Sequence, residues 1–311
     1  MMRGFISIAL FLISFLASAQ FNSDVGITLG SSNYLGEMGG KEKTGRPWLL
    51  DMKLSQTRWA MGGFYRYRIM ENLFVRADFI YFRIQGADSL STNPPRVARN
   101  LHFRNDIFEL TARAEYVFYS VHDVGHTGRY LLNFNTYVFL GAGGFLNNPK
   151  AKYQDKFVSL RPLETEGKKY SKFQFSMPIG AGFYYTYKRQ HRVGFEIGWR
   201  FTLTDYIDDV SKTYPYDTTG MSPDAIALSD RSQGKAGTDG FPQTGNYGPT
   251  FNPDHENPRG NPKRQDNYLL ATLHYSYVIK GAYKNKRFRT SSRRSSLGGY
   301  KRRKRKTRAK F

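Results

Sequence analysis

The chain has no cysteine in its 311 residues. Disulfide staples, thiolate metal sites and a lipid-bearing N-terminal cysteine are therefore excluded. It also has no apolar run, beyond its first residues, approaching the ~20 residues that a transmembrane helix needs. A helical inner-membrane protein is excluded on that ground. Acidic residues are scarce, with 25 Asp and Glu against 47 Lys and Arg, for a net charge of +22. After Lys280 they are missing altogether.

Aromatic residues, by contrast, are abundant. They make up 16% of the chain, with 22 Tyr and 24 Phe, although the mean hydropathy is −0.57. Many aromatic rings without long apolar runs suit a β-barrel that wears aromatic girdles at two membrane interfaces. The N-terminus reads Met1-Met2-Arg3, an apolar run from Phe5 to Leu16, then Ala17-Ser18-Ala19 before Gln20. A charged start, a short greasy stretch and a small-residue cleavage site predict an export signal over residues 1–19 that is removed.

Between Arg192 and Thr204 the residues alternate almost without error. Val193, Phe195, Ile197, Trp199, Phe201 and Leu203 share one face, opposite Arg192, Gly194, Glu196, Gly198, Arg200, Thr202 and Thr204. Successive strand side chains point to opposite faces, so this is one strand with an apolar and a polar side. The same period recurs in Asp24–Ser31, Thr57–Ile69, Leu73–Arg83, Asp106–Tyr119, Tyr130–Gly144, Lys172–Lys188 and Asn267–Lys280. Eight strands are predicted.

Their connections alternate too. Met70-Glu71-Asn72 and Arg189-Gln190-His191 are tight, and the turn around His122-Asp123-Val124-Gly125 is intermediate. The other connections are long and polar, the longest over about residues 205–266. Short periplasmic turns and long extracellular loops mark an outer-membrane barrel, and an even strand count leaves both termini in the periplasm. The expected fold is an all-β, eight-stranded antiparallel transmembrane barrel over 20–280, with a disordered basic tail over 281–311.

An eight-stranded barrel has an interior just wide enough for side chains to fill it. The inward charges Arg66, Arg68, Arg76, Asp78, Glu109, Arg113, Glu115, Glu196 and Arg200 are expected to pair as a structural network, since unpaired buried charge is costly. The sharper alternative is a selectivity ring on a solute path.

The tail carries the run Lys301, Arg302, Arg303, Lys304, Arg305 and Lys306. It is expected to be a solvated interaction segment for an anionic surface. Nucleic acid is not an expected partner, because the topology leaves the tail in the periplasm.

No His, Asp and Glu cluster has metal-ligand spacing, and no cofactor is expected. Asp205, Asp208 and Asp209 lack the glycine turn and regular ligand spacing of a cation loop, so they read as a hydrogen-bonded loop base. His274 and Ser276 share a strand face but point inward, away from any lipid substrate. No catalytic residue is expected, and the protein is read as not an enzyme.

Three segments carry a family resemblance. They are Gly30-Ser31-Ser32-Asn33-Tyr34-Leu35-Gly36-Glu37, His122-Asp123-Val124-Gly125, and Thr204-Asp205-Tyr206-Ile207-Asp208-Asp209-Val210-Ser211. They resemble the DUF6089 outer-membrane barrels of Bacteroidota, a PorG-like group tied to the type IX secretion system. The third segment is the most specific. The resemblance implies an outer-membrane subunit associated with the periplasmic ring proteins of the secretion and gliding machinery. The runner-up reading is a stand-alone structural or small-solute barrel.

Overall fold

The computed structural model describes residues 23–38, 54–91, 94–124, 132–215, 218–232 and 259–279. The expected signal segment and the basic tail lie outside the described residues.

The period-2 segments form antiparallel strands: β1 (Ser23–Leu35), β2 (Arg58–Arg68), β3 (Leu73–Ala87), β4 (His102–Val121) and β5 (Leu132–Leu146). A small hairpin follows, β6 (Pro149–Tyr153) and β7 (Lys156–Ser159). Then come β8 (Phe173–Tyr187), β9 (His191–Thr202) and β10 (Asn267–Ile279). The hydrogen-bonded order is β3-β2-β1-β10-β9-β8-β5-β4, and β3 pairs with β4. The first and last strands meet along their whole length, from Ser23 opposite Ile279 to Leu35 opposite Asn267. The sheet therefore closes on itself into an eight-stranded barrel with no free edge.

Register settles which side chains face in. A slip of one residue would exchange every inward and outward group. Outward positions are apolar and bare: Leu110, Leu140 and Leu273 are each more than 60% exposed. Inward positions are polar and buried, Arg66 and Glu109 both at 0%. An apolar exterior round a charged interior is the arrangement of a barrel that crosses a membrane. Among the described residues no helix is long and apolar enough to cross one.

Tight connections gather at one end of the barrel. Between β8 and β9 the chain turns through Lys188 and Arg189, both with positive φ (50° and 58°). Two consecutive left-handed residues match the twist of the flanking strands. Long connections gather at the other end.

Two elements there depart from the sequence reading. The β6–β7 hairpin occupies what reads as loop, because four or five Lys-rich residues are too few to display a period. Similarly, helix α2 (Pro223–Ser229) interrupts the long connection. Ser222 caps it by accepting from the Ala225 amide at 3.2 Å, and Pro223 fills the first helical position, where no amide donor is wanted. Its Leu228 packs on Ala151 and Leu160 beside the hairpin. Helix α1 (Pro94–Arg99) precedes β4.

Candidate functional site

The lumen is filled by ion pairs. Asp24, first inward residue of β1, meets Arg66 of β2 at 2.8 Å and Arg192 of β9 at 2.7 Å. Arg66 reaches Glu115 of β4 at 3.0 Å. Glu196 of β9 receives Arg113 at 2.6 Å, Arg76 at 3.1 Å and the Tyr137 hydroxyl at 2.7 Å. Asp78 takes Arg76 at 2.7 Å and Arg113 at 3.3 Å. The carboxylates Asp24, Asp78, Glu115 and Glu196 thus face the guanidiniums Arg66, Arg76, Arg113 and Arg192, and the layer balances to zero charge.

Aromatic rings sandwich the planar cations. The Arg76 guanidinium lies 3.5 Å from the Phe64 ring centre and that of Arg113 lies 4.1 Å from Phe139. Cation–π contact of this kind strengthens when water is excluded. Inward glycines make the room: a methyl on Gly182 would stand 2.7 Å from the Tyr137 hydroxyl.

A smaller cluster lies nearer the long-loop end. Glu109 accepts from the hydroxyls of Ser176 and Tyr268, each at 2.6 Å, with Arg200 at 3.7 Å.

Arg68 stands apart from this network. As the last residue of β2 it lies at the barrel mouth, where its guanidinium donates to the carbonyls of Met70 (3.2 Å) and Glu71 (2.9 Å) in the adjoining turn. Asp24 and Arg192 belong to the network although neither is in the expected set. Asp24 opens a weakly patterned strand, and Arg192 sits at the very start of β9.

His274 and Ser276 are not brought together. The Ser276 hydroxyl donates to Asp24 at 2.8 Å. His274 is held between the rings of Phe64 (5.9 Å) and Tyr137 (6.5 Å).

Above the lumen, the segment after β9 folds inward as a cap. Thr204 accepts the Asp266 amide at 3.2 Å on its carbonyl and the Tyr206 amide at 3.2 Å on its hydroxyl. Ile207 and Val210 then drop fully buried into one core with Tyr34, Phe82, Ile84, Phe103 and Tyr268. Asn105 and Asn147 donate to the Ile207 and Tyr206 carbonyls at 3.0 and 2.7 Å.

Charges lock the outer side of the cap. Asp209 accepts from Thr165 (2.5 Å) and Tyr170 (2.6 Å), with Arg259 at 3.6 Å. Arg259 also meets Glu166 at 3.1 Å, and Glu166 accepts the Ser211 and Lys212 amides, each at 3.0 Å. Arg99 of α1 pairs with Asp88 at 2.7 Å and donates to the Arg259 carbonyl at 2.5 Å.

At the centre of the cap, two carboxyls converge on one phenol. The Tyr34 oxygen lies 2.7 Å from Asp208 and 2.5 Å from Asp266, and it accepts the Glu37 amide at 3.2 Å. A hydroxyl has one proton to give, so the second carboxyl must bring its own. Burial, reinforced by Asp208 and Asp205, pushes Asp266 well above the ordinary carboxylate range. Burial, against the Tyr34 hydrogen bond, pushes Asp208 up to about 8. Burial likewise raises Asp205 to about 8, opposed in part by Ser211, and Asp209 to about 6, opposed chiefly by Arg259.

Two of the three family-like segments thus meet in space, through Tyr34 and Asp208. The third lies at the opposite end, where the Asp123 amide donates to Asn133 at 3.2 Å and Val124 to the Leu132 carbonyl at 2.9 Å. A family model described as a domain of unknown function, DUF6089, matches residues 2–219.

The chain belongs to the DUF6089 family.

The cap segment Thr204–Ser211 falls inside the matched region of this DUF6089 barrel. Among solved structures, it is similar to the N-terminal β-barrel domain of Pseudomonas aeruginosa OprF. Identity there is 11% over 84% of this chain and 100% of that one, with a TM-score of 0.31. It is also similar to Ail, the attachment invasion locus protein of Yersinia pestis, at 11% identity over 83% and 99%, with a TM-score of 0.34. No curated protein sequence matches.

Among the described residues no group of three or more His, Cys, Asp or Glu is placed to hold a metal ion. The basic-tail residues Lys301–Lys306 lie outside the described residues.

Proposed function

We propose that this DUF6089 protein is a non-enzymatic outer-membrane barrel that anchors a periplasmic assembly, the ring of the type IX secretion and gliding machinery. The observation that carries the reading is the filled lumen. A barrel whose bore is occupied by a neutral, ring-sandwiched ion network under a hydrogen-bonded cap offers a wall and two ends. Its use is then as a fixed point in the membrane.

The apolar exterior supports an outer-membrane location, and the alternation of connection lengths supports short turns and both termini in the periplasm. In that orientation the basic tail has direct access to periplasmic partners, which would present an acidic surface. The family-like segments that build the cap support the secretion-system assignment.

Pull-down of the full-length protein, and of a form ending at Lys280, tests the reading. Recovery of periplasmic ring proteins by the full-length chain, reduced in the shortened form, is expected. Background recovery by both would overturn it.

A further inference from the structure

One sector of the barrel wall is unlike the rest at the long-loop end. Moving outward from the apolar belt, β2, β3 and β4 first present an aromatic group. Trp59 and Tyr81 have ring centres 5.1 Å apart, and Tyr81 and Phe108 are 4.8 Å apart. Tyr and Trp rings at such a level mark the boundary between hydrocarbon and headgroups.

The next outward positions are charged. Arg83 follows Tyr81 by two residues on β3, and Arg104 precedes Phe108 by four on β4. At ~3.3 Å per residue on strands tilted by ~40°, these groups stand within roughly 5–10 Å of the girdle, at headgroup depth.

The β6–β7 hairpin widens the sector. Lys150 is the register partner of Arg104, so the two share the outer face. Lys152 lies two residues further along the same face, half exposed. Phe157 of β7 is 48% exposed and carries the Arg104 guanidinium 4.1 Å above its ring.

Asp106 orders the cations without cancelling them. It takes Arg83 at 2.6 Å and Arg104 at 3.4 Å, and accepts from the Tyr81 hydroxyl at 2.9 Å. Beside it, Lys152 meets Asp155 of the hairpin turn at 2.7 Å, and among the described residues no ion pair is formed by Lys150. On the β8–β9 side of the rim the character is different: β8 begins outward in Phe173, and β9 ends in Phe201 with Leu203 just beyond it, all exposed.

We infer that this sector, Arg83, Arg104, Lys150 and Lys152 beside Phe157, is a binding surface for the phosphate-bearing headgroup of an outer-leaflet lipid. The inference rests on the proposed placement of the long-loop end at the cell surface. Three properties select the occupant. The patch continues the lipid-facing belt without a break, its charge is positive, and Asp106 holds its two guanidiniums, the side chain of choice for phosphate, side by side at headgroup level. An exposed ring at the same level offers an apolar seat for acyl or sugar carbons.

The test uses the full chain in phosphatidylcholine nanodiscs doped with bisphosphorylated lipid A or with its dephosphorylated form. Lipid retained after washing is counted by mass spectrometry. Wild type is expected to retain the phosphorylated lipid selectively. Lys150→Gln with Lys152→Gln should lower that retention roughly thirty-fold, because each basic group near an anionic headgroup is worth about five-fold.

Lys168→Gln with Lys169→Gln removes the same charge from the β7–β8 connection beside the cap, where Lys168 lies 5.7 Å from the Tyr206 ring and Lys169 lies 3.5 Å from Glu164, and should leave retention unchanged. Heat-modified gel mobility shows whether each variant holds its barrel. Arg104→Gln serves as a second probe of the sector if the hairpin variant does not fold. Equal retention by wild type and a folded sector variant would overturn the inference, as would an equal loss in the cap variant.

Orientation is read separately. Lys169→Cys, in a chain without cysteine, should react in intact cells with a maleimide that does not cross membranes. Selective retention with no labelling would overturn the cell-surface placement, and with it the outer-leaflet assignment, while leaving the phosphate site standing.

Discussion

Tyr34 and Asp208 are 174 residues apart in the chain, and their side-chain oxygens are 2.7 Å apart in the cap. That one hydrogen bond joins the end of the first strand to the segment after the ninth. Because Asp266 shares the same phenol, it ties in the entry to the last strand as well. The loop end is fixed to the barrel at the seam where the sheet closes.

Tyr34→Phe removes the shared hydroxyl and leaves two buried carboxyls facing each other. The expected cost is about 1–3 kcal/mol, confined to the cap, because the strands keep their own hydrogen bonds. Limited proteolysis should show faster cleavage in the loops with an unchanged heat-modified mobility of the barrel.

The same carboxyls give the cap a pH dependence. Asp208 lies near 3.8 when unfolded and is pushed up to about 8 by burial in the folded protein. Between those values the folded form holds the proton and the unfolded form has lost it. The contribution of Asp208 to cap stability should therefore be full below about pH 4 and be lost as pH rises to about 8. Asp208→Asn, which mimics the neutral acid, should flatten much of that slope. Hydrogen exchange of the 205–211 amides between pH 5 and 9 measures both.

In the lumen, removing one partner costs more than its single bonds suggest. Glu196→Ala would leave Arg76 and Arg113 with only Asp78 and Glu115 between them and one buried positive charge uncompensated, an expected loss of ~3–5 kcal/mol. Tyr137→Phe removes only one hydrogen bond to that group, ~1.5–3 kcal/mol. Urea unfolding in lipid vesicles should rank Glu196→Ala well below Tyr137→Phe, and both below wild type.

Glycines on the two barrel faces should respond oppositely to a methyl group. Gly182 faces inward, and a Cβ there would stand 2.7 Å from the Tyr137 hydroxyl and 2.8 Å from the Phe195 carbonyl. Gly182→Ala is expected to cost about 1–3 kcal/mol by overpacking. Gly63 faces outward, and its nearest neighbour would be 3.6 Å away. Gly63→Ala should be neutral in the same unfolding assay.

The barrel was legible in the sequence because its two faces meet opposite solvents. Residues such as Trp199 and Glu196 had to alternate, and a period-2 signal over a dozen residues is hard to produce otherwise. Strand ends were less legible: β4 runs on to His102 and Val121, where the chain leaves lipid and the outward side turns polar. The β6–β7 hairpin was hidden for the same reason, being too short and too basic to show a pattern.

Among site residues, inwardness could be read but partnership could not. Alternation places Arg66 and Arg68 on the same face. Only the barrel's length shows that Arg66 lies in the bore while Arg68 reaches the turn carbonyls. The cap was visible as a group of aspartates after β9. That Asp208 would find Tyr34 was not, because nothing local in either segment encodes a contact across 174 residues.

A bore filled by paired charges leaves no open path for ions through the barrel. Single-channel recording in planar bilayers tests it most directly, with the pure full-length protein at neutral pH. No steady openings are expected. Stable, reproducible conductance steps from the wild-type protein would contradict the account.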